Sequence, residues 1–286
     1  MSKDKRVLTV QDISCVGQCS LTVALPIISA CGFETAVLPS AVLSTHTGGS
    51  FSEYTFRDLT FDMPLIAKHW LKEGITFDAI YTGYLGSANQ VDYVLDIMKN
   101  LLSGNAVKIV DPAMADNGRL YSGFDAGFVK KMTQLCSVAD IILPNITEAC
   151  LMTDTEYMSE GYNEEYILGI MKKLTELGAG TVIMTGIGYD KDKLGVGVYK
   201  KGSNSINYYF HERIERGTHG TGDIYASTFT GAYLRGFDEI AAAKIAADYT
   251  LLCIKNTLDD EEHWYGAKFE KVLPYLMKRL GTDYIQ

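Results

Sequence analysis

The segment Gly217-Thr218-His219-Gly220-Thr221-Gly222-Asp223 runs straight into Ile224-Tyr225-Ala226-Ser227-Thr228-Phe229. Its glycines permit unusual backbone angles and close approach of a ligand. A helix starting there turns its free N–H groups and the positive end of its dipole back toward the loop. Gly220, Thr221 and Gly222 then outline an anion hole suited to a phosphate in flight. Asp223, in the first turn, could take a proton from an attacking hydroxyl. Plain helix capping is the competing use of these residue types, since Asp and Gly often begin helices. Further polar clusters change that balance: Asp12 with Ser14, Ser44-Thr45-His46-Thr47-Gly48, Thr82-Gly83-Tyr84, Asp111-Pro112, Pro144-Asn145 and Thr185-Gly186.

Each cluster follows a short apolar run. Strands are expected at Val7–Gln11, Thr35–Pro39, Asp78–Thr82, Val107–Val110, Asp140–Leu143 and Thr181–Thr185. Helix-like spacing lies between them, near Ser20–Ala30, Gln90–Leu102, Phe124–Leu135 and Glu164–Leu177. The strand runs are nearly continuous in apolar residues, as in a sheet covered on both faces. The β–α alternation predicts a doubly wound parallel sheet. Leu194–Tyr199 and Ile206–Phe210, joined by a Lys-Gly-Ser-Asn region, read as an antiparallel hairpin. Helices follow at Ile224–Arg235, Glu239–Asn256 and Ala267–Leu280. In open α/β sheets ligands bind at the carboxyl ends of the strands, which is where the polar clusters fall.

The chain has 286 residues, 47% hydrophobic and 21% charged, with a net charge of −9. With no repeat or linker, one domain over 1–286 is favoured over two. The acidic balance argues against a nucleic-acid partner, yet leaves phosphate ligands open, because helix-start amides need no basic side chain. No apolar run reaches 18 residues, so no membrane span or membrane partner is expected. The charged start leads directly into a strand without a signal-peptide core, and the six cysteines form no CxxC pair. Reduced thiols in a cytoplasm are therefore expected. His69, His211 and His263 read as surface or packing residues, and Asp259-Asp260-Glu261-Glu262 as a solvated acidic turn.

Gly220-Thr221-Gly222-Asp223 opening a late helix resembles the signature of the ribokinase-like superfamily, and four more blocks narrow the resemblance to pyridoxal kinases. Leu43-Ser44-Thr45-His46-Thr47-Gly48 is similar to their FSNHTGY segment, and Gly83-Tyr84-Leu85-Gly86-Ser87 to GYLGS. Asp111 to Tyr121 resembles DPVMGDxGxLY, and Pro144-Asn145-Ile146-Thr147-Glu148 matches PNxxE. The blocks stand in family order between residues 43 and about 229. The resemblance implies a three-layer α/β/α fold with a mostly parallel sheet, and an ATP-dependent kinase acting on the 5′-hydroxymethyl group of B6 vitamers.

Under that resemblance Asp223 is the general base, and the amides of Gly220, Thr221 and Gly222 hold the migrating phosphate. Leu43, His46, Thr47 and Tyr84 would form the B6 pocket. Asp111, Asn145, Glu148 and Thr185 would serve ATP, with Asp111 and Glu148 holding Mg²⁺, in part through water. Asn145 and Glu148 also fit a helix cap and capping-box acid, a role compatible with the first. Asp116 and Tyr121 would belong to a mobile flap hinged near Gly118. A monovalent cation such as K⁺ and a homodimer are implied by the family alone.

The first strand departs from the family pattern of Gln-Ser-His followed by GxxGN. Here Gln11-Asp12-Ile13-Ser14 precedes Gly17-Gln18-Cys19, one residue short, and Asp12 replaces the substrate-contacting serine. Its carboxylate could favour the ammonium of pyridoxamine, or could bond the ring nitrogen. Two other readings stay open: hydroxymethylpyrimidine kinase, and a non-catalytic protein that binds B6 or its phosphate.

Overall fold

The computed structural model describes residues 5–215 and 218–283; Gly217 of the glycine-rich segment lies outside them. A nine-stranded sheet forms the centre, in the order β11-β10-β9-β8-β5-β4-β1-β2-β3. Its strands are β1 (Arg6–Val16), β2 (Glu34–Thr45), β3 (Phe56–Asp58), β4 (Phe77–Thr82), β5 (Leu102–Val110), β8 (Ile141–Ile142), β9 (Thr181–Ile187), β10 (Lys193–Lys200) and β11 (Asn207–Glu212). The run from β9 to β2 is parallel, and β3, β10 and β11 are antiparallel additions at the two edges. The expected α/β class and the β10–β11 hairpin are both present.

Helices cover both faces. Strand residues such as Leu8, Val10 and Ile80 pack with α2 (Met63–Lys72), α3 (Ala88–Asn100), α4 (Ala126–Ser137), α5 (Ile146–Met152) and α6 (Glu164–Glu176). Their neighbours Val7, Ala79 and Tyr81 point the other way, toward α1 (Leu21–Ala30), α7 (Thr221–Leu234), α8 (Glu239–Lys255) and α9 (Leu273–Leu280). This alternation is the period-two geometry of a strand buried on both faces. Ser87, Asp125, Asn163 and Asp238 each accept a backbone N–H at the start of a helix, fixing where α3, α4, α6 and α8 begin.

Several elements differ from expectation. β1 does not end near Gln11 but continues to Val16, so Asp12 and Ser14 lie inside a strand. Its ladder with β2 slips between Gln11 and Ile13, and its pairing with β4 stops at Val10 opposite Thr82. The sheet therefore parts beyond Val10, where chain progression also reverses direction: β1 leads outward to β2, β4 leads the other way to β5. Such a switch point is where open α/β sheets form a ligand crevice. The final helix starts at Leu273 rather than Ala267, after a 3₁₀ turn at Glu270–Val272. The helix α2 and a small hairpin, β6 (Ala115–Asp116) with β7 (Arg119–Leu120), were not anticipated.

Candidate active site

The start of α7 sits over the crevice. Gly220 caps the helix with φ +75°, and a Cβ there would lie 1.8 Å from the Gln18 carbonyl oxygen. Only glycine supports both the left-handed angle and that approach. The first intrahelical bond is donated by Ile224 to the Gly220 carbonyl, 3.0 Å. The N–H groups of Thr221, Gly222 and Asp223 precede it and have no acceptor within the helix. A Cβ at Gly222 would meet nothing within 4 Å, so open space faces this turn.

Asp223 stands in that first turn of α7. Burial pushes its carboxyl up to about 7; a hydrogen bond from the Ser20 backbone opposes this and the charge of Asp12 adds to it. Asp111 is also pushed well above the usual carboxylate range, by burial and by Glu148 and Asp223. Burial raises Glu148 to about 7 despite three backbone hydrogen bonds. Glu148 closes a capping box at α5: Oε2 accepts from the Asn145 N–H at 2.9 Å, and Asn145 Oδ1 accepts from the Glu148 N–H at 2.9 Å. Its Oε1 accepts from the Met114 N–H, 3.1 Å, linking the cap to the segment after β5. The capping reading of these two residues is therefore present in the structure.

Among the described residues, no group of three or more His, Cys, Asp or Glu side chains could hold a metal ion directly. Glu148 and Asp223 nevertheless raise the protonation of Asp111, and no cationic neighbour is among the causes acting on any of the three. Concentrated negative charge with oxygen donors fits Mg²⁺ that retains several waters.

The hairpin β6–β7 folds over these carboxylates. Its Asn117-Gly118 turn has φ +50° and +75°, the geometry of a tight hairpin turn. Asn145 Nδ2 donates to the Ala115 carbonyl, 2.8 Å, and the Gly118 N–H donates to Thr147 Oγ1, 3.0 Å, pinning the hairpin to α5. The Tyr121 hydroxyl is raised by burial and by Glu148, Asp111, Asp116 and Asp223, which places it among them. Asp116, Asn145 and Thr185 line one cleft of about 700 Å³, together with Thr147, Tyr157, Gly186, Lys191 and Arg213. The cleft thus brings together Asp116, Asn145 and Thr185, while Asp111, Glu148 and Tyr121 lie outside its lining.

On the other side Leu43 is a buried β2 residue paired with Ser14. Thr47 is exposed in the following loop. Tyr84 stands against Phe124, ring centres 5.6 Å apart, and its hydroxyl is raised to about 12 by burial, then by the charge of Asp12. His46 is buried, and both its ring nitrogens are used within the chain: Nε2 bonds the Tyr265 carbonyl at 2.7 Å and Nδ1 accepts from the Gly48 N–H at 3.1 Å. Burial lowers its protonation. It can present a ring face to a ligand, and a direct hydrogen bond would displace one of these partners.

Sequence reasoning missed what holds His46. Phe51, His219 and Trp264 surround it at 5.0, 4.9 and 6.5 Å between ring centres. Trp264 packs on Phe51 at 4.5 Å. His263, expected to be a surface or packing residue, bonds Gln18 Oε1 through Nε2 at 2.8 Å and packs on Tyr265. Asp260 in the same loop accepts from Lys268 and from the N–H groups of Glu262 and His263, so the acidic turn is internally tied. Three consecutive aromatic rings, His263-Trp264-Tyr265, in an otherwise polar loop were the available signal.

A switch-point crevice, a helix start rich in free amides and an aspartate held near neutrality define a small-molecule phosphotransferase of the ribokinase-like class. Residues 66–266 match the family model described as phosphomethylpyrimidine kinase, and the chain belongs to that family. It is 30% identical over 194 residues to the pyridoxal kinase of Sus scrofa, covering 64% of this chain and 57% of that one. A solved Bacteroides thetaiotaomicron protein, provisionally described as a phosphomethylpyrimidine kinase, is 36% identical with a TM-score of 0.91, covering 96% of this chain and 94% of that one. An orthorhombic crystal form of that protein, with pyridoxal, matches at 36% and 0.90, covering 96% of each chain. The pyridoxal kinase of Lactobacillus plantarum matches at 29% identity and a TM-score of 0.88, over 96% and 97%.

Proposed function

We propose that the protein is an ATP-dependent kinase that phosphorylates the 5′-hydroxymethyl group of vitamin B6 vitamers. The observation that carries the reading is the α7 start, where amides with no acceptor within the helix and Asp223 share one end of the crevice. Phosphoryl transfer needs in-line placement and charge stabilisation more than covalent chemistry. Asp223 accepts the hydroxyl proton as the substrate oxygen bonds to the γ-phosphorus, and the bond from that phosphorus to the β-bridging oxygen breaks to release ADP. A carboxyl near 7 is matched to this work at neutral pH. The amides of Gly220, Thr221 and Gly222 meet the charge on the moving phosphoryl group.

Asp111 and Glu148 would hold Mg²⁺ through water, and the metal would neutralise phosphate charge. Asp116, Asn145 and Thr185 would face the nucleotide, while Tyr121 and the β6–β7 hairpin cover it and exclude water. His46, Thr47, Tyr84 and the Trp264 loop would enclose the vitamer ring. Pyridoxal in a 36% identical relative supports a B6 ring over a pyrimidine. The same reading includes a cytoplasmic, homodimeric enzyme with one catalytic domain.

The test is purified protein with Mg-ATP and each of pyridoxal, pyridoxine, pyridoxamine and hydroxymethylpyrimidine. Turnover of a vitamer is expected, and Asp223→Ala should lower it roughly 10²–10⁴-fold. Turnover of hydroxymethylpyrimidine alone would reassign the substrate. Vitamer binding without any turnover would make the protein a carrier.

A further inference from the structure

Asp12 occupies the point where the sheet parts. It lies two residues beyond the last β1–β4 pair and inside the slip of the β1–β2 ladder. Only 6% of it is exposed. Oδ1 accepts from Ser20 Oγ at 2.5 Å and Oδ2 from Ser14 Oγ at 3.1 Å. Each carboxylate oxygen keeps further acceptor capacity.

Its surroundings identify the side it serves. Asp12 acts electrostatically on Asp223, on Tyr84 and on Cys19, so it lies near both the start of α7 and Tyr84. Ser20 ties the two acids, since its hydroxyl bonds Asp12 and its backbone bonds Asp223. That serine holds φ +54° and ψ −130°, a region nearly reserved for glycine, as happens where surrounding structure fixes a functional backbone. No Lys, Arg or His is among the groups acting on Asp12. Buried charges are otherwise paired, and this one has only neutral donors, two hydroxyls and its own backbone N–H.

We propose that Asp12 accepts a cationic N–H of the substrate, so that the pocket selects the positively charged form of a B6 vitamer. The inference rests on the B6 reading above. Two substrate groups carry that chemistry: the 4′-ammonium of pyridoxamine and the protonated ring nitrogen common to all vitamers. A cation within hydrogen-bond reach completes the carboxylate's shell and restores its charged form. A neutral alcohol or aldehyde at the same place does neither.

The test measures kcat/KM for pyridoxamine, pyridoxal, pyridoxine and a pyridoxine analogue with carbon in place of the ring nitrogen. Wild type, Asp12→Asn and Asp12→Ser are compared, with Tm as the check on folding. Asn keeps the shape and the serine contacts while removing the charge. If the ammonium is the partner, both variants lose about tenfold or more on pyridoxamine and stay within about threefold on the others. If the ring nitrogen is the partner, all three vitamers fall about tenfold together, while the carbon analogue stays within about threefold. Either pattern supports the proposal. Unchanged ratios among all four compounds, in active and folded variants, overturn it and leave the B6 reading standing. A wild type that turns over no vitamer overturns both.

Discussion

The start of α7, from Gly220 to Asp223, is one floor of the site and takes its positions from backbone geometry. The aromatic wall of His46, Phe51, Trp264 and Tyr265 takes its shape from side chains meeting across distant loops. The floor is short-range: a left-handed glycine, the first turn of one helix, and a carbonyl fitted beneath it. The wall is long-range: His46 reaches the Tyr265 carbonyl across 219 residues, and His263 reaches Gln18 across 245. Chemistry common to every phosphoryl transfer can be built into fixed amides. Recognition of one ring is carried by loops, which change without disturbing the sheet. Substitutions in the floor should act on kcat, and those in the wall on KM.

The largest effect is expected for Gly220→Ala. The added methyl collides with the Gln18 carbonyl and the left-handed angle adds about 1 kcal/mol or more of strain. Displacing the following amides should lower kcat by about 10²-fold or more, with a smaller change in vitamer KM. Steady-state kinetics on protein with a cooperative melt check this. A mainly KM effect would show that the floor and the wall are not separable.

Next comes pH. Asp223 is raised from 3.8 to about 7 by its surroundings, so kcat/KM should fall about tenfold per unit as pH drops below 7. Stability should move the opposite way. The folded protein binds the Asp223 proton more tightly than the unfolded chain, so stability declines as pH rises through about 4 to 7 and then levels. Asp223→Asn should therefore melt higher than wild type at pH 8 and alike at pH 4. A wild-type rate independent of pH from 5.5 to 8 would remove the base from its role.

Legibility in the sequence follows the same division. The floor was readable because Gly220, Thr221, Gly222 and Asp223 are contiguous and their chemistry is local. The continuous apolar runs likewise gave away the six parallel strands. β1 was read too short because Asp12 and Ser14 look like turn residues, whereas their polar atoms bond each other inside an extended strand. The helix α2 was missed although Met63, Ile66, Ala67 and Trp70 recur at helical spacing, because the exposed Leu65 and Leu71 spread apolar residues around the helix and blur that stripe. The wall was not read because the run His263-Trp264-Tyr265 stands out as aromatic, yet nothing near it in sequence announces Gln18 or His46.

Trp264→Ala tests the wall directly. The ring packs on Phe51 and faces His46, so its loss should raise vitamer KM about tenfold and leave kcat within about twofold. Of the two tryptophans, Trp70 is packed on Phe77 away from this loop, so a fluorescence change on adding vitamer should disappear in the variant. Equal losses in kcat and kcat/KM would assign the loop to the transition state instead.

The smallest effect belongs to a part that shares both designs. The β6–β7 hairpin has a local turn at Asn117-Gly118, like the floor, but is anchored through Asn145 and Thr147, like the wall. A Cβ at Gly118 would come within 2.8 Å of the Tyr157 ring, and the left-handed angle adds about 1 kcal/mol. Tyr157 lines the 700 Å³ cleft and can shift, so Gly118→Ala should raise KM for ATP only about threefold. Its clearer sign should be ATP hydrolysis without vitamer phosphorylation, because a hairpin that closes less completely admits water. The ratio of ADP formed to phosphorylated vitamer measures this directly. A ratio that stays at one, with KM for ATP raised, would assign the hairpin to nucleotide binding rather than to exclusion of water.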